Sequence, residues 1–342
     1  MTPGNPFSLA LGVFLGLLPV LLFLLSLLYL DSYKLVRLKT ILLLLAAGGV
    51  AALLSYFANG LVLSREGANV RLLTIFVTPL IEELLKAVPL LLMFRARRVG
   101  FLVDAAIVGF AIGAGFALVE NLYYFTVVQN ATPALWAVRG FGTGIMHGGS
   151  TAIFALAVKA LEGRRPGDRP VIAIAALFVA YLVHGLYNSF LLTPLQSAFA
   201  VTLLFPALVL VVFARSEKAV QSWLGSGFDL DSDLIAAINS GDFAESPAGR
   251  YLKSLRQHFD GPVLADMLCF LRLHAELALR AKGLLMMRES GFAVKRDEEL
   301  AEKLAELNYL RKSIGKTGEL AISPIIHSSA EDVWQLQLLE TA

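Results

Sequence analysis

The chain has 342 residues, of which 16% are charged and 57% hydrophobic, and its mean hydropathy is +0.69; these values exclude an ordinary water-soluble globular protein. Its net charge of +2 is divided unevenly, residues 1–214 holding 14 Lys/Arg against 8 Asp/Glu and residues 215–342 holding 15 against 19, so two parts in different solvents are expected. So small an excess gives no footing for a nucleic-acid partner. The single cysteine, Cys269, excludes an intramolecular disulfide and a cysteine-built zinc site, and reads as a small buried hydrophobe.

A bilayer core is crossed by about 20 apolar residues in helical form. Seven stretches qualify, at roughly 7–30, 40–63, 72–94, 101–125, 136–159, 170–192 and 196–214. The first has no Lys or Arg before it and no small-residue cleavage site, so it is expected to be kept as a span. Connections after the odd-numbered spans carry ten basic residues, Lys34, Arg37, Lys39, Arg95, Arg97, Arg98, Lys159, Arg164, Arg165 and Arg169, against Arg65, Arg71 and Arg139 on the other side. The positive-inside rule then places the N-terminus outside and the C-terminus in the cytoplasm. No internal repeat is visible, which speaks against repeat-built transporters.

The expected fold is therefore all-α, a seven-helix polytopic domain over 1–214, a linker over 215–228 and a soluble helical domain over 229–342. That last part reads as short amphipathic helices, with apolar spacing at 263–287 and a charged stretch at 295–310, punctuated by Gly241, Pro247, Gly261 and Gly291. His258 and His274 read there as surface or capping residues, and no catalytic motif accompanies them.

Polar groups inside the spans carry the information, because an ionisable side chain at mid-bilayer costs on the order of 3 kcal/mol. The third span holds Glu82, Glu83 and Lys86 near its midpoint, spaced so that one lysine can neutralise either carboxylate. Pro79 and Pro89 flank them and remove backbone donors, which suits a wet interior cavity. Span four brings Glu120 and Asn121, span five His147 among glycines, and span six His184 and Asn188 on one face. All converge on the extracytoplasmic half. Asp104 and Arg139 lie near span ends and read as interfacial or snorkelling residues.

Such a cluster suits hydrolysis of an acyl bond, where water is deprotonated and an oxyanion stabilised. Ser150 and Thr151 lie within a turn of His147, but helix-interior hydroxyls usually bond a backbone carbonyl. Two forms of water activation stay open. In one, His147, His184 and Glu120 hold Zn²⁺ and Glu82 or Glu83 is the base. In the other no metal takes part, a buried glutamate takes the proton, and the histidines with Asn188 orient the reactants.

The ordered set Glu82-Glu83-x-x-Lys86, Phe116-x-x-x-Glu120-Asn121, His147 and His184-x-x-x-Asn188 resembles the PrsW family of intramembrane proteases over about residues 70–195. That family is related to the type II CAAX-prenyl endopeptidases. The resemblance implies an acid pair at Glu82 and Glu83, further essential positions at Glu120, His147 and His184, zinc as cofactor, and a membrane-anchored protein as substrate. It also implies bacterial regulated proteolysis of an anti-sigma factor. On the 125 or so residues after the spans it is silent; these are expected to recruit or regulate, through a cytoplasmic partner or self-association. A proton-coupled transporter and a catalytically silent scaffold are the competing classes, since buried Glu, Lys and His also serve a proton relay.

Overall fold

The structure is a computed structural model describing residues 6–64, 69–128, 131–162, 168–292, 299–326 and 330–340. Arg65, Arg164, Arg165 and Lys295 lie outside the described residues. Every regular element among the described residues is helical, and the chain divides into two compact units, Met1–Glu217 and Lys218–Ala342.

In the first unit the helices are α1 (Pro6–Leu30), α2 (Leu38–Leu63), α3 (Thr78–Arg95), α4 (Leu102–Val127), α5 (Ile145–Leu161), α6 (Arg169–Asn188) and the start of α7 (Pro194–Ser240). Two of them are led in by π-helical turns, Leu73–Val77 before α3 and Val138–Gly144 before α5. Among the described residues six helices are long and apolar enough to cross a membrane: Ala10–Leu30, Leu38–Leu63, Leu102–Val127, Pro133–Leu161, Arg169–Asn188 and Pro194–Ser240. The remaining expected stretch, 72–94, is helical too, but Glu82, Glu83 and Lys86 leave it too charged to be counted with them. Residues 215–228, expected as a linker, are helical within α7.

The core of this unit is α4, buried along most of its length, where Gly109, Gly113 and Gly115 among its apolar residues let neighbouring helices approach closely. A Cβ at Gly113 would come within 2.7 Å of Gly148 Cα in α5, so the two backbones touch as small-residue faces allow in membranes. Leu25, Leu43, Leu53, Phe57, Phe178 and Leu203 point outward and are exposed, a surface that hydrocarbon accepts and water does not. Asp104, expected at the interface, is instead buried, and its carboxylate accepts from Gly100 N (2.8 Å) and Phe101 N (3.2 Å). Two donors at the start of α4 are thereby satisfied, which is why a charge is kept there.

In the second unit the end of α7 is followed by α8 (Pro247–Ser254), α9 (Gly261–Glu289), α10 (Leu300–Ile322) and α11 (Ala330–Glu340). The expected punctuation is seen: Gly241 (φ +84°) and Gly291 (φ +74°) take left-handed conformations at helix ends, and Ser246 caps α8 through Gly249 N at 3.0 Å. Phe243, Met267, Phe270, Leu277, Leu307, Ile314 and Leu339 form the core. Cys269, expected to be buried, is exposed, because the buried stripe of α9 runs through Met267, Phe270 and Leu271 and leaves position 269 outside it. His258 is exposed as expected, whereas His274 lines a cavity of roughly 940 Å³; burial there lowers its imidazole to about 4, so it is neutral. The cavity has Leu230, Leu234, Leu271, Ile325 and Ile326 on its walls and Asp231, Asp233, Asp332 and Lys282 among its polar groups. Buried Lys282 is held by Asp231 Oδ2 at 2.6 Å and Gln335 Oε1 at 3.2 Å, as a buried cation requires.

Candidate active site

Glu82, Glu83 and Lys86 lie in the first half of α3, and the way that helix starts explains the role of Asn188. In the π-helical turn before it, Thr78 N–H bonds Leu73 O, five residues back. The same register would pair Thr74 O with residue 79, but Pro79 has no N–H. Asn188 of α6 donates its side-chain amide to Thr74 O at 3.3 Å instead. This residue thus supports the backbone that carries the acid pair.

The site forms where the N-terminal halves of α3 and α5 meet the C-terminal halves of α4 and α6, as alternating crossings require. Glu83 Oε1 is the most heavily bonded atom: it accepts from Lys86 Nζ (2.5 Å), His184 Nδ1 (2.8 Å) and Ser150 Oγ (3.1 Å). A carboxylate can only accept, so His184 carries its proton on Nδ1 and turns the Nε2 lone pair away. Lys86 Nζ also lies 3.3 Å from His147 Nδ1. An ammonium can only donate, so His147 carries its proton on Nε2, which is 3.1 Å from Glu120 Oε2. The two imidazoles therefore present opposite nitrogens to one spot: His147 Nδ1 is 4.0 Å and His184 Nε2 is 3.7 Å from Glu82 Oε2.

That oxygen is the informative atom. Glu82 is buried, and its Oε2 has no hydrogen-bond partner among the described residues, which is costly unless something else binds it. Three carboxylates, those of Glu82, Glu83 and Glu120, face two permanent cations, Lys86 and Arg139, so with all three ionised one negative charge is left for a bound cation to balance. One donor atom from each of Glu82, His147 and His184 lies within 4.8 Å of the others, a grouping able to hold a metal ion. Each histidine is also held by a carboxylate on its other nitrogen, an arrangement that fixes metal-binding histidines.

The donor set differs from the expected one in its carboxylate. Glu120 was the expected ligand; its Oε2 is instead 3.0 Å from Arg139 Nη2 and 3.1 Å from His147 Nε2, which directs it to the back of the imidazole. Arg139, expected to snorkel, is the residue that sequence reasoning missed. Its Nε donates to Asn121 Oδ1 at 2.8 Å and its guanidinium lies 3.6 Å from the Tyr124 ring centre, while Asn121 in turn donates to Gly16 O at 2.7 Å. Thr151 bonds His147 O at 2.8 Å, as helix-interior hydroxyls do, while the single Ser150 hydroxyl proton is shared between His147 O (3.2 Å) and Glu83 Oε1 (3.1 Å). Of the expected residues, Glu82, Glu83, Lys86, Glu120, His147 and His184 come together, while Asn121 and Asn188 stand one step outside.

Buried histidines and carboxylates at the meeting of four helices, in a chain whose described residues include six apolar helices of membrane-crossing length, define a membrane protein with an interior polar site. Residues 34–214 match the PrsW family intramembrane metalloproteases, and the chain belongs to that family, whose class is peptidase. None of the curated proteins and none of the solved structures compared with it matches. The matched span contains every residue of the site and ends before the second unit.

Proposed function

We propose that this protein is an intramembrane endopeptidase that crosses the bilayer seven times and cleaves a membrane-anchored protein. The observation that carries the reading is the unpartnered Glu82 Oε2 faced by His147 Nδ1 and His184 Nε2. The seventh crossing is 70–95, whose charges are met inside the protein rather than by lipid. Lys34, Arg37, Arg95, Arg97, Arg98 and Lys159 lie in or beside the connections at the ends remote from the site, which supports an extracytoplasmic site, an outside N-terminus and a cytoplasmic second unit. A plasma membrane of a bacterium and an anti-sigma factor as substrate complete the proposal, on the family's association alone.

Glu82, His147 and His184 would hold the metal, and two imidazoles with one carboxylate are a donor set suited to zinc. Zinc bound there supplies Lewis acidity, acidifying a water and polarising the scissile carbonyl. This chain's own residues do the rest. Glu83 and Glu120 fix the imidazole orientations through the ring nitrogens turned away from Glu82, and Lys86 balances the acid pair. A second reading has its own observation: Lys86 Nζ is already within 3.3 Å of His147 Nδ1, so an ammonium can satisfy that lone pair without metal. Glu82 would then be the base for water directly, as in the metal-free alternative. Chelation separates the two: cleavage resistant to a chelator that still needs Glu82 belongs to the metal-free reading.

The second unit is proposed to recruit the substrate or a cytoplasmic partner. Its cavity supports this, being apolar on its walls and carrying exposed Leu230 and Asp233. Leu230→Arg and Asp233→Lys are expected to slow cleavage of a native membrane substrate about fivefold each, the scale of losing one interface contact. Hydrolysis of a short fluorogenic peptide should be unchanged. Equal rates on the membrane substrate for wild type, both variants and a chain lacking 229–342 would remove this role.

A further inference from the structure

Arg139 is a permanent charge inside an apolar helix, and its head group is engaged at two nitrogens and on its face. Nη2 meets Glu120 Oε2 at 3.0 Å, Nε meets Asn121 Oδ1 at 2.8 Å, and the plane stacks on Tyr124 at 3.6 Å. Its side chain is only 12% exposed, so it does not reach out to an aqueous interface. A desolvated guanidinium with this many partners is worth its burial only as part of a fixed arrangement.

Backbone geometry shows how it arrives there. Arg139 precedes His147 by eight residues, which in a regular α-helix would set the two about 80° apart around the axis. Between them lies the π-helical turn Val138–Gly144, and a π turn takes up an extra residue. The pair is then spaced as if seven apart, about 20° from eclipsed, so both side chains reach the same carboxylate on α4. Gly140 lets the turn lie against α1, where a Cβ would come within 3.1 Å of Pro19 Cγ.

We infer that Arg139 is a positioning residue for the active site: it clamps Glu120 against the Nε2–H of His147 and so keeps His147 Nδ1 turned towards Glu82. The inference rests on the proposed peptidase reading. Glu120, Asn121 and Tyr124 occupy successive positions on one side of α4 because all three are the socket for this one guanidinium. Lysine would keep the charge next to Glu120 but lose the fork that also reaches Asn121.

The test uses the full chain in detergent, wild type beside Arg139→Lys and Arg139→Gln, with Zn²⁺ alone as the probe. Affinity is read by competition with a chromophoric chelator, the Co²⁺-loaded absorption spectrum reports the donor geometry, and cleavage of a single-span reporter gives kcat and KM. Loss of an outer partner of a metal-bound histidine typically costs 10–100-fold. Arg139→Gln is thus expected to weaken Zn²⁺ binding by about that factor, shift the Co²⁺ bands and lower kcat with KM within about twofold. Arg139→Lys should recover part of each. Unchanged affinity and spectrum in a zinc-binding wild type would overturn the inference while leaving the peptidase reading intact. If wild type binds no zinc, the metal reading falls and the kcat-only loss with lysine rescue decides for Arg139; kcat loss that merely follows a lower unfolding temperature decides against it.

Discussion

Purified wild-type protein is expected to bind close to one equivalent of zinc, and Glu82→Gln, His147→Ala and His184→Ala should each lose it, with cleavage of a single-span substrate falling at least about 10³-fold. The argument is the geometry around one atom. Glu82 Oε2 is buried without a hydrogen bond, and two imidazole lone pairs face it because Glu83 and Glu120 hold the opposite ring nitrogens. Glu120→Gln is the discriminating comparison. As an outer partner it should cost 10–100-fold in affinity without abolishing binding, whereas as a direct ligand it would strip the ion as thoroughly as Glu82→Gln. Metal content by plasma emission and cleavage with and without chelator read the result. Chelator-resistant cleavage that still needs Glu82 would establish glutamate-activated water instead, and a wild type that neither binds metal nor cleaves would return the scaffold and transporter readings.

Most of the site was legible because membrane burial makes polar residues conspicuous: Glu82, Glu83, Lys86, Glu120, His147 and His184 stand out of apolar runs, and structure brings all six together. What stayed hidden depended on backbone irregularity. Arg139 reads as interfacial from its place near a span end, and in a regular helix it would stand about 80° around the axis from His147; the π turn at Val138–Gly144 supplies the missing rotation. Asn188 was grouped with the chemistry because it shares a face with His184, yet its amide goes to Thr74 O, a need created by Pro79 and a second π turn. Which carboxylate faces the histidines was equally beyond spacing, because Glu82 and Glu120 come from different helices and only Arg139 separates their roles. Amphipathic periodicity in the C-terminal residues did give helices and their breaks, but an unbroken α7 through 215–228 was masked there by its mixture of charge, Gly and Ser.

Lys86→Met is expected to destabilise the protein by about 3–5 kcal/mol, the cost of breaking a buried ion pair from one side. The ammonium and the Glu83 carboxylate are 0% and 1% exposed and 2.5 Å apart, and Lys86 also lies 4.9 Å from the Phe116 ring centre. Its removal leaves two adjacent glutamates on α3 with no cation within the neighbouring turns of their own helix, in surroundings that water reaches poorly. Glu83→Gln alone strands the ammonium in the same way. The double variant, Glu83→Gln with Lys86→Met, removes both charges and should be clearly more stable than the sum of the single losses implies, by about 2–3 kcal/mol of coupling. Unfolding of detergent-solubilised protein, followed by tryptophan fluorescence in a double-mutant cycle, gives that number. Additive losses would mean that Lys86 acts on the site as a whole, through His147 Nδ1 at 3.3 Å, rather than through Glu83. Strong coupling with no return of cleavage in the double variant would instead divide the cluster: the Glu83–Lys86 pair would be there to let α3 carry charge through the membrane, and the catalytic burden would fall on Glu82 and the two histidines it faces.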